Sequence, residues 1–194
     1  MKHDVDHYFE GYEKRTVLKE NGKEKSEFVY TGDYYRIDMD KAGLRKIKIK
    51  AISFLAAFIA MFIAAGVMHS LGNTYGWTGI ASMVMLIPAI YWAIGTVRFV
   101  TAGEFMESRK VYYGKNRMQR SLTGVRVLAA CQIIVEIISV IVYRDMITDI
   151  PLEIIFTAIL AAENILVWFA KKSIDSIEVD NIGKRPKITV VEDP

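Results

Sequence analysis

Polar side chains interrupt two long apolar stretches in the second half of the chain. They are Gln132, Glu136, Ser139, Thr157, Glu163 and Asn164. Gln132 and Glu136 are four residues apart and Ser139 follows three residues later, so a helix would place all three on one face. Carboxyl and amide groups in apolar surroundings commonly relay protons, bind cations or hydrogen-bond neighbouring helices.

The two polar stretches should face each other if both are helical. Measured with the helix rise from the same end, Gln132 lies at a depth similar to that of Glu163, and Glu136 is level with Thr157. Three interpretations stay open. Glu136 and Glu163 could line a path for protons or cations, they could be protonated and hydrogen-bond the neighbouring helix, or they could contact a partner subunit.

The elements that must position these residues are four apolar blocks. Of the 194 residues, 52% are hydrophobic, and they collect between charged stretches rather than spreading evenly. About 20 helical residues cross the hydrocarbon layer of a bilayer, and a soluble helix would keep a polar face. The sequence therefore predicts an all-α membrane protein with transmembrane helices at about 49–71, 77–99, 123–143 and 151–170.

Basic residues predict the orientation of these helices. Arg144 is the only Lys or Arg in the two predicted outer connections, although the chain contains 25 such residues. Since cytoplasmic loops carry an excess of Lys and Arg, both termini are expected in the cytoplasm. We expect a multi-pass protein of the cell membrane, with a cytoplasmic head (1–46), a helical domain (47–170) and a cytoplasmic tail (171–194).

The head has the pattern of a small β-hairpin. Asn21-Gly22 is a strong turn signal between two strand-like runs. A strand-like run in the tail, Lys187–Val191, could pair with the head, and this question stays open. In the connection between the second and third helices, Gly114-Lys115-Asn116 is expected to form the turn.

Basic residues near the inner ends of the helices suit lipid headgroups or a protein partner. They are Lys46, Lys48, Lys50, Arg109, Lys110, Lys115, Arg117 and Arg120. The simpler interpretation is that these charges only set the orientation of the helices.

Several functions find no support in the sequence. The net charge of +3 is too small to indicate a nucleic-acid partner. Phosphate-binding loops, nucleophile elbows and zinc-binding helix pairs are absent, so neither a cofactor nor a metal is expected. Cys131 is expected to be a small apolar packing residue.

The sequence favours a non-enzymatic membrane protein that acts as an accessory or regulatory subunit through protein–protein contacts. Its expected partners are the lipid bilayer and either another protein or further copies of itself. One alternative is a small oligomeric transporter or channel that uses the intramembrane carboxylates. The other is a membrane-embedded enzyme that modifies lipids.

Overall fold

Four long helices dominate the part of the chain that the structure describes. A computed structural model describes residues 11–18, 24–74, 76–147 and 149–184. The long helices are α1 (Lys41–Val67), α2 (Trp77–Thr101), α3 (Arg117–Val142) and α4 (Ile150–Asp175). The prediction of a mostly helical protein with four helices that are long and apolar enough to cross a membrane, plus a small sheet, is confirmed.

The helices expose their apolar side chains on the outside of the bundle. In the most apolar part of each helix, between 17% and 28% of the residues are buried. Ile63, Ile87 and Ile154 are each about 60% exposed or more, at 58%, 62% and 64%. Cys131 also lies exposed on this apolar surface. Such a surface is stable against lipid and would be unfavourable in water.

The helices extend beyond the predicted spans at the end where the chain enters and leaves the bundle. α1 begins at Lys41 because the Asp40 carboxylate accepts a hydrogen bond from the Gly43 N–H at 2.8 Å. α4 continues to Asp175. We call this end the sheet end, because all the strands lie there. The opposite end, with the short helices Leu71–Thr74 and Arg144–Met146, is the loop end.

The expected turn at Gly114-Lys115-Asn116 is wrong. A helical turn at Ser108–Val111 and a π-helical turn at Tyr112–Asn116 lead directly into α3. Gly114 lies buried against α2, where a Cβ at this position would make an ordinary contact, 3.4 Å from the Phe99 backbone nitrogen. The chain reverses between α2 and Ser108, where the strand Phe105–Glu107 lies.

Strands from three parts of the chain meet at the sheet end. β1 (Tyr12–Leu18) and β2 (Glu24–Tyr30) form the expected antiparallel hairpin, whose turn at Asn21-Gly22 lies outside the described residues. A second sheet has the order β4-β3-β5, all antiparallel. Its strands are β3 (Tyr34–Ile37), β4 (Phe105–Glu107) and β5 (Val179–Gly183). Head and tail therefore pair through β3 and β5, while Lys187–Val191 lies outside the described residues.

The hairpin is fastened to the junction between β4 and the helix that follows it. The Tyr12 hydroxyl donates a hydrogen bond to Glu107, and the Ser108 N–H donates to the Tyr30 hydroxyl at 3.0 Å. The Arg109 guanidinium lies 5.1 Å from the centre of the Tyr12 ring. These contacts join the N-terminal hairpin to the end of the helix bundle.

Alkaline pH should release this contact between the hairpin and the bundle. Burial, and then the hydrogen bond to Glu107, raise the pKa of Tyr12 from 10.0 to about 12. Folding favours the protonated phenol, so its contribution to stability is complete below pH 10 and is lost as the pH rises towards 12. The tyrosinate absorption of the wild type minus that of Tyr12→Phe should titrate near pH 12. A difference curve centred near pH 10 would contradict the contact.

Candidate functional site

Two carboxyl groups meet at the loop end of the bundle. Glu136 on α3 is completely buried, and its Oε2 accepts a hydrogen bond from the Thr78 hydroxyl on α2 at 3.0 Å. Glu153, in the first turn of α4, accepts a hydrogen bond from the Leu71 N–H at 2.8 Å. The carboxyls of Glu136 and Glu153 lie close enough to interact with each other. The cluster therefore joins three long helices and the short helix Leu71–Thr74, which we call the loop helix.

This carboxyl pair is suited to hold one proton. Glu136 Oε1 and Glu153 Oε2 are both buried, and neither has a hydrogen-bond partner among the described residues. Two ionised carboxylates at this distance would repel each other, whereas a protonated one donates to its neighbour. A shared proton would satisfy both oxygen atoms at once.

The short helix Leu71–Thr74 covers the carboxyl pair from the loop end. Leu71 and Gly72 are buried, and Ser70 is completely inaccessible. A Cβ at Gly72 would collide with both the Thr78 hydroxyl and a Glu136 oxygen, so only glycine allows this close approach. The Asn73 side-chain amide donates to the carbonyls of Ala65 and Met68, each at 2.9 Å. These bonds hold the helix Leu71–Thr74 against the end of α1.

One side of Glu153 borders a groove on the outer surface of the bundle. The groove has a volume of about 440 Å³ and lies between the end of α3 and the start of α4. Val140, Ile154, Thr157 and Ala158 line it together with Glu153. The carboxyl pair is thus sealed on the side of the loop helix and approaches the surface beside α4.

The polar residues of α3 share a buried face, but that face is turned mainly towards α2. Gln132 is 2% exposed and Ser139 is 3% exposed. The Gln132 amide donates to the Ser82 hydroxyl on α2 at 2.8 Å, and the Ser139 hydroxyl bonds to its own helix at Val135. Close packing of α2 on α3 explains this arrangement, since a Cβ at Gly95 would lie 3.1 Å from the Met118 backbone nitrogen.

The expected level-by-level pairing of α3 with α4 is wrong. The Thr157 hydroxyl donates to the Glu153 carbonyl of its own helix at 2.9 Å instead of meeting Glu136. The hydrogen bond of the Gln132 amide goes to α2 rather than to Glu163. The bundle is joined by polar contacts, but Thr78, Leu71 and Glu153 supply the partners.

Glu163 stands apart from these contacts. It is 1% exposed, and neither of its carboxyl oxygens has a hydrogen-bond partner among the described residues. Leu160 and Val167, one turn away on either side along α4, are both buried in apolar clusters. The Asn164 amide nitrogen is also buried without a partner. Glu163 is therefore not explained by hydrogen bonding to neighbouring helices.

The basic residues at the sheet end divide into two groups. Lys48 donates a hydrogen bond to the Ala102 carbonyl and Lys115 donates to the Ile177 carbonyl, so these two lysines join neighbouring segments. The remaining six are Lys46, Lys50, Arg109, Lys110, Arg117 and Arg120. Lys110 forms an ion pair with Glu107 at 3.6 Å. Lys46, Lys50 and Arg120 are exposed.

Sequence reasoning missed the residues of α2 and of the loop helix. Thr78 and Ser82 are four residues apart in an otherwise apolar helix, and this spacing places them on one face. Gly72 lies in a connection without charges, where nothing in the sequence distinguishes a packing glycine from a turn glycine. Only the spacing of the two hydroxyls could have indicated the site.

Comparison with known proteins supplies no further guide to the site. The chain matches no protein-family model, no curated protein and no solved structure. Among the described residues, no group of three or more His, Cys, Asp or Glu side chains could hold a metal ion.

Proposed function

We propose that the chain is a multi-pass protein of the cell membrane that acts as a non-enzymatic accessory or regulatory subunit through protein–protein contacts. The observation that carries this proposal is the sheet β4-β3-β5. The segments before α1, after α2 and after α4 each contribute one strand to it. A partner that binds this sheet would contact all the segments that emerge at that end of the bundle.

The charge distribution supports a cytoplasmic location for the sheet end. Of the 25 Lys and Arg residues in the chain, Arg144 is the only one at the loop end. By the positive-inside rule the sheet, the hairpin and both termini then face the cytoplasm. A cytoplasmic partner could reach two exposed apolar side chains there, Phe28 on β2 and Ile182 on β5, which are 60% and 36% exposed.

Purification from native membranes in a mild detergent tests the proposal. We expect a partner to copurify in a fixed ratio with the wild type and to be reduced at least about tenfold by Phe28→Ala, since buried aromatic anchors dominate interfaces. Phe169→Ala removes a similarly exposed ring from α4 and should leave the partner bound. Recovery of the wild type alone as a stable monomer would contradict the proposal.

The unpartnered carboxyls favour a second candidate, a small oligomeric transporter or channel for protons or cations. Glu163 has no hydrogen-bond partner among the described residues, and Glu153, which interacts with Glu136, borders an outer groove. Four helices enclose little volume, so a pore would require several copies of the chain.

A flux assay in liposomes tests this second candidate. Proton or cation flux should fall strongly in Glu136→Gln and Glu163→Gln, because the amide cannot release a proton. Glu178→Gln, which changes a carboxyl beyond the end of α4, is the control and should leave the flux unchanged. Absence of flux in the wild type, or equal flux in all variants, would exclude transport.

A further inference from the structure

Arginine and tyrosine side chains alternate where α2 and α3 approach the sheet end. The Arg117 guanidinium lies 4.7 Å from the centre of the Tyr113 ring and 5.2 Å from that of Tyr91. Arg98 lies over the same Tyr113 ring at 5.1 Å. Tyr113 thus contacts two guanidinium groups, and Arg117 contacts one ring of α2 and one ring of the π-helical turn that precedes α3.

A hollow opens beside Arg117 on the outer side of this arrangement. Its volume is about 230 Å³, and it is lined by Tyr91, Tyr112, Arg117, Arg120 and Ser121. Arg120 lies 5.4 Å from the centre of the Tyr112 ring and donates to its hydroxyl at 3.3 Å. The ring contacts orient both guanidinium groups towards one small volume.

The positive charge of the hollow is not neutralised by the described part of the protein. No carboxylate among the described residues forms an ion pair with Arg117 or Arg120. A guanidinium has five N–H donors, and contacts with aromatic rings leave most of them for an acceptor. Two such groups favour a phosphate oxygen pair, which arginine binds through parallel hydrogen bonds.

An apolar stripe on α2 leads to the hollow from the middle of the bundle. Ile87, Tyr91 and Ile94 follow one another at intervals of four and three residues, and each is exposed, at 62%, 47% and 38%. Tyr91 belongs to both the stripe and the hollow. Because the apolar stripe continues into the hollow, an anion that also carries apolar chains fits the site better than a free anion does.

We propose that this hollow binds the headgroup of an anionic phospholipid. The phosphodiester lies between Arg117 and Arg120, and one acyl chain follows Ile87 and Ile94 along α2. This site goes beyond the proposed subunit function and does not depend on it. It selects a charged lipid through paired arginines, in contrast to the nonselective apolar contacts elsewhere on the bundle.

Lipid binding to the purified, delipidated full chain tests the proposal. Native mass spectrometry in detergent would follow binding of phosphatidylglycerol and of phosphatidylcholine. We expect phosphatidylglycerol to bind the wild type at least about tenfold more tightly, since the two arginines attract its net negative charge, whereas the choline cation cancels the phosphate charge of phosphatidylcholine. The double variant Arg117→Gln/Arg120→Gln should lose this preference. Equal binding of both lipids by the wild type would overturn the proposal without any variant.

Two controls separate this site from general charge effects and from a site for free phosphate. Arg45→Gln removes an exposed charge near the start of α1, and the lipid preference should persist. A double replacement by lysine keeps the charge but loses the paired geometry, so it should retain only part of the preference. Displacement of phosphatidylglycerol by equimolar inorganic phosphate would show that the hollow recognises the anion alone, and would overturn the lipid assignment.

Discussion

Replacing Gly72 by alanine should destabilise the loop end of the bundle more than any other single methyl group. A Cβ there collides with the Thr78 hydroxyl and a Glu136 oxygen, which are both buried and hydrogen-bonded to each other. Neither atom can move without breaking that bond. Overpacking usually costs about 1–3 kcal/mol, and we expect the free energy of unfolding to fall by about 3 kcal/mol.

Gly79→Ala is the matched control, because the Cβ that it adds has no neighbour within 4 Å among the described residues, apart from the adjoining backbone of its own helix. Gly79 lies in α2, where alanine is favoured over glycine by up to about 1 kcal/mol, so this variant should be neutral or slightly stabilising. Unfolding of both variants would be followed in detergent by thermal melting. Equal melting temperatures for the two variants would show that the loop helix does not approach Glu136 as closely as described.

Replacing Glu163 by leucine should stabilise the bundle. The Glu163 carboxyl is buried and finds no hydrogen-bond partner in the described part of the chain, and burying such a group costs about 1–3 kcal/mol. Leucine extends the apolar surroundings formed by Leu160 and Val167, so the free energy of unfolding should rise by a similar amount. An ionisable group inside the membrane is by default a candidate functional group, which is the physical argument for the transport candidate.

Replacing Glu136 by leucine should destabilise the bundle instead. Glu136→Leu leaves the Thr78 hydroxyl and the Glu153 carboxyl without their partner, which should lower the free energy of unfolding by about 1–3 kcal/mol. Denaturant unfolding of the two variants beside the wild type would measure both signs. A loss of stability in Glu163→Leu would show that Glu163 has a partner in the folded protein.

The number of helices could be predicted because apolar length is a property of the sequence itself. Blocks of about 20 apolar residues must be helical in lipid, where each backbone polar group needs an internal partner. The β-hairpin could also be predicted, from its turn residues. The ends of the helices could not be predicted, because α1 and α4 extend past the apolar blocks. Asp40 caps the start of α1, and Val179, which follows α4, pairs with β3 in the sheet.

The buried face of α3 could be predicted from helical spacing, whereas its partners could not. Spacing fixes which residues share a face, but the offset between two helices depends on where each one begins. α3 begins at Arg117, about six residues before its predicted start at 123, and α4 ends at Asp175, about five residues after its predicted end at 170. Glu136 consequently meets Glu153 rather than Thr157, about one helical turn away.

Cysteine labelling can determine directly on which side of the membrane each end of the bundle lies. In a Cys131→Ala background, Asp145→Cys marks the loop end and Asp180→Cys marks β5 at the sheet end; both positions are exposed. A membrane-impermeant maleimide added to intact cells should label the cysteine at position 145 at once. It should label the one at position 180 only after permeabilisation. Labelling of position 180 in intact cells, or labelling of neither position before permeabilisation, would contradict the proposed membrane topology.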